Sequence, residues 1–192
     1  MKRIAIFASG SGSNAEQISH HFKGRTDVQV SLILTNNPTA GVIQRARKLH
    51  IPVVIFDRTL FYESNRVVEL LLNAGIDLVV LAGFMMQVPA NLINAYPNRM
   101  LNIHPALLPR YGGKGMYGHF VHEAVVAAGE RQSGISIHYV NEAYDEGEIV
   151  YQATVELDPT DTPDEVARKV QVLEHLHYPR IVDEVVSALN DE

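Results

Sequence analysis

Along the first hundred residues, compact apolar runs alternate with longer stretches whose apolar residues recur every three to four positions. The compact runs at 3–8, 28–34, 53–56, 76–84 and 100–103 predict strands, and the periodic stretches at about 15–22, 41–50 and 62–74 predict helices. Gly75 closes the third helix as a C-cap, and Pro89 opens a short helix at its first turn. The run Ile76-Asp77-Leu78-Val79-Val80-Leu81-Ala82-Gly83-Phe84 is nearly unbroken, which marks a strand buried on both faces of a parallel sheet. Strand and helix in alternation predict an α/β fold built on a doubly wound, mostly parallel sheet.

After Pro109 the pattern changes. Arg110 to Gly118 holds four glycines in nine residues, so a tightly folded or mobile loop is expected there. A helix at about 119–128 follows. Residues 134–140 and 149–155 alternate apolar and polar positions, as strands covered on one face do, and predict an antiparallel C-terminal addition to the sheet. The acidic segment Asn141-Glu142-Ala143-Tyr144-Asp145-Glu146-Gly147-Glu148 lies between them. A last helix begins near Asp161-Thr162-Pro163, and Val166, Val170, Leu173, His177 and Ile181 form its buried face.

Composition narrows the functional classes. At 192 residues the chain is expected to be a single domain, 1–192, and its 46% hydrophobic and 20% charged content is ordinary for a soluble protein. No stretch reaches the roughly 18 apolar residues of a membrane helix. The opening Met1-Lys2-Arg3-Ile4-Ala5-Ile6-Phe7-Ala8 stops at Ser9-Gly10, too soon for a signal peptide, so a cytoplasmic protein is expected. The absence of cysteine excludes disulfides, thiolate metal sites and a cysteine nucleophile. A formal net charge of -6 without a basic run argues against nucleic acid as a partner, and leaves small molecules. His119 and His122 have no third ligand in view and read as helix-surface residues, so no metal is expected.

Chemistry concentrates where predicted strands end. Ser9-Gly10-Ser11-Gly12-Ser13-Asn14 between a strand and a helix offers backbone N–H groups and a positive helix end to an anion. Gly10, Gly12 and Ala15 also fit a dinucleotide fingerprint, but the second strand ends in Thr35-Asn36-Asn37-Pro38, without the acid that holds a ribose. A phosphomonoester suits the loop better. In Asn102-Ile103-His104-Pro105 the amide and the imidazole are two residues apart on one strand face, an arrangement suited to stabilising an oxyanion while a proton moves. A carboxylate of the acidic loop at 141–148 is a candidate partner for His104, and one beside the ring is expected to raise its pKa. In a doubly wound sheet these strand-end groups share one cleft.

Gly12-Ser13-Asn14, Leu81-Ala82-Gly83-Phe84-Met85, Asn102-Ile103-His104-Pro105-Ala106-Leu107-Leu108-Pro109 and the run from Gly134 to Gly147 occur in this order, and together they resemble the phosphoribosylglycinamide formyltransferases of the formyltransferase-fold superfamily. The resemblance runs from the first strand to Pro179. It implies a Rossmann-like sheet, with a nucleotide-binding-like half at 1–104 and a folate and catalytic half at 105–192. It also implies formyl transfer from 10-formyltetrahydrofolate, a co-substrate, to the amine of glycinamide ribonucleotide in purine synthesis. Asn102, His104 and Asp145 match the catalytic residues. Gly12, Ser13, Asn14, Gln171 and Glu174 match those that hold the ribonucleotide. Met85, Met86, Gln87, Val88, Asn102, Val140 and Asn141 match the folate segments, with Arg58 the nearest candidate for the folate's outer part. Met86 stands where the family often has Arg or Lys, and the glycine-rich loop, with Lys114, is longer than in shorter bacterial forms. A monomer or homodimer is expected. Formyltetrahydrofolate deformylase and methionyl-tRNA formyltransferase are expected to carry extra domains, at the N- and C-terminus respectively, that are not seen here. The rival from another class is a nucleotide- or NAD-binding protein, which leaves Asn102, His104 and Asp145 unexplained.

Overall fold

The computed structural model describes residues 1–189. Five strands, β1 (Lys2–Phe7), β2 (Val28–Thr35), β3 (Val53–Ile55), β4 (Leu78–Leu81) and β5 (Met100–His104), run parallel, because a helical segment carries the chain back after each of the first four. The returns are α1 (Ser13–His21), α2 (Val42–Lys48), the pair α3 (Arg58–Tyr62) and α4 (Arg66–Asn73), and α5 (Ala90–Ala95). After α6 (His119–Ala127), β6 (Gln132–Tyr139) and β7 (Ile149–Glu156) join antiparallel, and α7 (Pro163–Ala188) closes the described chain. The sheet order β3-β2-β1-β4-β5-β6-β7 is the expected mixed sheet.

Alternation along β1 splits the core. Ile4 and Ile6 face α1, α2, α6 and α7, while Ala5 and Phe7 face α3, α4 and α5. Phe7, Phe56, Phe61 and Phe84 cluster on the second side with ring centroids 4.9 to 6.2 Å apart. The order reverses between β1 and β4, and at such a switch point a crevice opens beyond the carboxyl ends of the strands.

Several boundaries differ from the sequence reading. The helix expected over 62–74 is shorter, Arg66–Asn73, and a second short helix, Arg58–Tyr62, precedes it. Asp57 caps this preceding helix by accepting from Leu60 N–H, and Ser64 interrupts the path by bonding back to the Leu60 carbonyl. The strand expected over 76–84 shortens to Leu78–Leu81, and Gly83 turns with φ 70. The last helix begins as expected: Thr162 and Glu165 form a reciprocal capping box with Pro163 at its first position. No helix among the described residues is long and apolar enough to cross a membrane.

Candidate active site

The loop after β1 is shaped by Gly12. Its φ is 75, and a Cβ there would lie 2.4 Å from Val42 Cγ2, so only glycine lets the chain enter α1 at this angle. The first turn of α1 meets α7: Asn14 Nδ2 donates to Glu174 Oε2 at 2.8 Å, and Gln171 Nε2 to Ser13 Oγ at 3.4 Å. The residues nominated for a ribonucleotide are thus brought together from positions about 160 apart. Asn14 Oδ1 is buried without a partner, an acceptor that a ligand's hydroxyl or amide can satisfy. Burial pushes the Glu174 carboxyl above its ordinary range, and the bond from Asn14 only partly offsets this. Asn36 and Asn37, where a dinucleotide site wants an acid, are engaged with Ser9 instead.

Ser9 also ties the next loop in place. Its hydroxyl donates to Asn36 and accepts from Met85 N–H at 2.9 Å. Gln87 Nε2 reaches the Glu142 carbonyl, joining this loop to the acidic one. Met85, Met86, Gln87, Val88, Val140 and Asn141 line a cleft of about 560 Å³ shared with Asn14, Asn102, His104, Asp145 and Glu174. The wall is largely apolar, which suits a flat heteroaromatic ring. Lys114, Met116 and Tyr117 of the glycine-rich loop cover the cleft from the other side. Arg58 does not line it. Its guanidinium stacks on Tyr62 at 4.8 Å, and Tyr62 in turn bonds the Gln87 carbonyl.

At the end of β5, His104 is only 3% exposed. Ser136 on β6 pins the following turn: its hydroxyl donates to the Ala106 carbonyl and accepts from Leu108 N–H. His104 Nε2 lies 2.7 Å from the Tyr111 carbonyl, and its Nδ1 lies 3.5 Å from Asp145 Oδ2. Both neighbours adopt left-handed backbone, Tyr111 at φ 56 and Asp145 at φ 54, unfavourable conformations for non-glycine residues that cluster here around one ring. Asp145 also accepts from Gly113 N–H at 3.0 Å, so it links His104 to the glycine-rich loop.

Electrostatics here correct the sequence reading. Burial lowers the His104 pKa below its ordinary 6.5, and the Asp145 charge only partly offsets this. At 3.5 Å and without a formed hydrogen bond, the carboxylate does not repay the lost hydration. Burial likewise pushes Asp145 up, but His138, His104 and the Gly113 N–H outweigh it and leave its carboxyl below the usual range. His122, expected on the helix surface, is 6% exposed and lines the cleft. Burial, then His119 and His104, push its pKa down to about 4. His119 alone is on the surface, against Glu123 and Asp164. Among the described residues, no group of three or more His, Cys, Asp or Glu could hold a metal ion.

One residue of the site escapes the sequence reading. His138, 2% exposed, is the cross-strand partner of Asn102. Asn102 Nδ2 is 3.1 Å from His138 Nε2 and 3.4 Å from Asp145 Oδ1. Both amide hydrogens of Asn102 are therefore taken, and the expected donation to an oxyanion is not open to it in this arrangement. The signal in the sequence is the pair Ser136 and His138, polar residues alternating with Ile135 and Ile137 on one strand.

Asn14 of the first turn of α1, a largely apolar wall and a buried histidine beside a carboxylate share one cleft, which Gly12, Ser13 and Gln171 do not line. Against known families, a family model described as Formyl transferase matches residues 2–182. The chain belongs to the formyl transferase family. Among the relatives of this formyl transferase chain is "Phosphoribosylglycinamide formyltransferase, chloroplastic" of Arabidopsis thaliana, 42% identical over 187 residues. That alignment takes in 94% of this chain and 64% of the plant protein, so the chain spans less than two thirds of that relative. The phosphoribosylglycinamide formyltransferase of Bacillus subtilis is 34% identical over 99% of this chain and 97% of its own length. The solved structure of phosphoribosylglycinamide formyltransferase from Bacillus halodurans superposes with a TM-score of 0.87 at 39% identity, covering 97% of this chain and 96% of that one.

Proposed function

We propose that the protein transfers a formyl group from 10-formyltetrahydrofolate to the amine of glycinamide ribonucleotide, a step of purine synthesis, and does so in the cytoplasm. The observation that carries this reading is the single cleft lined by Asn14 and Glu174 together with His104 and Asp145. In support, the Gly12-Ser13-Asn14 turn presents the N-terminus of α1 to a phosphate, and Gln171 and Glu174 stand beside it for the glycinamide portion. Met85 to Val88, with Val140 and Asn141, form the slot for the pterin of the folate co-substrate, where Met86 contributes an apolar wall rather than a charge. Arg58 does not line the slot; it reaches it only indirectly, stacked on Tyr62, whose hydroxyl donates to the Gln87 carbonyl.

Formyl transfer to an amine develops negative charge on the formyl oxygen and a proton to be lost from nitrogen. His104 has its Nε2 hydrogen committed to the Tyr111 carbonyl, which leaves Nδ1 to face the cleft beside Asp145. Protonated at Nδ1, the ring donates to the oxyanion as the amine nitrogen bonds to the formyl carbon; when the bond from that carbon to the folate nitrogen breaks, the proton lost by the amine passes by way of the adjacent carboxylate to the departing folate nitrogen. Exclusion of water by the 112–118 loop strengthens both interactions.

The test is an assay of purified protein with both substrates, following loss of the formyl donor. Loss that depends on the ribonucleotide supports transfer. Equal loss without it identifies a formyltetrahydrofolate deformylase instead.

A further inference from the structure

We infer that His138 is a positioning residue which, together with Asp145, turns the Asn102 amide so that its Oδ1 accepts an N–H from the attacking amine. The inference rests on the proposed transfer to an amine and assigns a residue and a direction of hydrogen bonding within it.

The chain of contacts fixes each proton. His138 Nδ1 lies 2.8 Å from the Tyr139 carbonyl, which can only accept, so Nδ1 carries the hydrogen. In the neutral ring Nε2 is then an acceptor, and Asn102 Nδ2 stands 3.1 Å from it. The other Nδ2 hydrogen faces Asp145 Oδ1 at 3.4 Å. Turning the amide over would set its carbonyl oxygen against the Asp145 carboxylate, whose Oδ1 also lies 3.6 Å from His138 Nε2, so the carboxylate favours Nδ2 on this side. Cross-strand pairing of Asn102 with His138 holds both backbones in register. Gly147 lets the acidic loop close on them, since a Cβ there would lie 1.6 Å from the Tyr139 carbonyl oxygen.

What remains is Asn102 Oδ1. It bonds to no group among the described residues, it is not a buried orphan, and Asn102 lines the cleft. An amide oxygen presented there complements an N–H, and an amine gains positive charge as it attacks, so the contact tightens toward the transition state. Stabilisation of the formyl oxygen falls to other donors, His104 foremost.

The experiment measures calorimetric binding of two probes, glycinamide ribonucleotide and the acetamide ribonucleotide in which hydrogen replaces the amine. The proteins are the wild type, Asn102→Ala, His138→Asn, the double variant and His138→Gln. His138→Asn keeps a donor for the Tyr139 carbonyl but is too short to accept from Asn102, whereas the Gln oxygen reaches the place of Nε2. Wild type is expected to prefer the amine probe by about tenfold, the worth of one such hydrogen bond. Asn102→Ala and His138→Asn should each cut the preference severalfold and leave only the share that the Glu174 carboxylate contributes, the double variant should add nothing further, and His138→Gln should restore most of it. Should His138→Asn fail to fold, Asn102→Ala and His138→Gln still read the same ratio. An undiminished preference in Asn102→Ala or His138→Asn overturns the inference, as does additive loss in the double variant. A wild type that binds neither probe overturns the transfer reading itself, and this one with it.

Discussion

His104 Nε2 lies 2.7 Å from the carbonyl oxygen of Tyr111, and that contact decides where the ring keeps its proton. A carbonyl accepts only, so Nε2–H is fixed and Nδ1 alone can gain or lose a proton, 3.5 Å from Asp145 Oδ2. His104→Ala and Asp145→Asn are each expected to lower turnover on the order of 10²–10³. Neither residue touches the Gly12-Ser13-Asn14 turn, so ribonucleotide affinity should stay within a few-fold. Steady-state rates and calorimetric binding on the same preparations check both halves, and near-normal turnover in either variant removes the assignment.

Gly12 and Gly10 share a loop but not a constraint. At Gly12 φ is 75 and a Cβ would lie 2.4 Å from Val42 Cγ2; at Gly10 nothing lies within 4 Å. Gly12→Ala is expected to destabilise the fold by about 1–3 kcal/mol and to weaken ribonucleotide binding as the turn shifts. Gly10→Ala should change neither by a measurable amount. Urea unfolding of the two variants side by side decides the matter.

The contrast between these glycines also shows what is legible in a sequence. Both match one motif, and only the approach of Val42 from α2 separates them. The alternation of strands with helices and the strand-end placement of Gly12, Asn102 and His104 follow from local patterning, because buried parallel strands and their connecting helices carry period and length. His138 does not, because its role exists only once β6 lies antiparallel to β5 with His138 opposite Asn102. The direction of the His104 shift is hidden for a similar reason. Asp145 as a neighbour can be guessed, but the depth of burial that outweighs it is set by the whole fold.

His122 gives the fold an acid-sensitive limb. Its pKa falls from 6.5 to about 4 on folding, chiefly through burial, and its Nδ1 has no partner. Protonation therefore favours the unfolded chain: the stability it permits is complete above pH 6.5 and declines as the pH drops toward 4. The loss across that window is about 3 kcal/mol for this group alone. His122→Leu should flatten the acid limb over the same window whatever its effect at neutral pH. Urea midpoints measured along the pH axis give the slope, and an unchanged slope would falsify the attribution.

Glu174 works in the opposite sense and sets stability against binding. Burial raises its carboxyl above 4.5, with the Asn14 amide pulling part of the way back. An acid with a raised folded-state value favours folding most below its unfolded value, so stability is complete below pH 4.5 and declines as pH rises toward the raised value. Glu174→Gln removes the ionisation and can still offer an oxygen to Asn14 Nδ2, now 2.8 Å from Oε2. The variant is therefore expected to be more stable than wild type near neutral pH, with the gain vanishing below pH 4.5. It should bind the ribonucleotide more weakly, because a neutral amide cannot balance the positive charge of the glycinamide amine. Urea midpoints at the two ends of that range, together with calorimetric affinity, separate the effects. Equal destabilisation at both pH values would mean that Glu174 is held for its shape. Unchanged affinity would mean that its charge faces no cation.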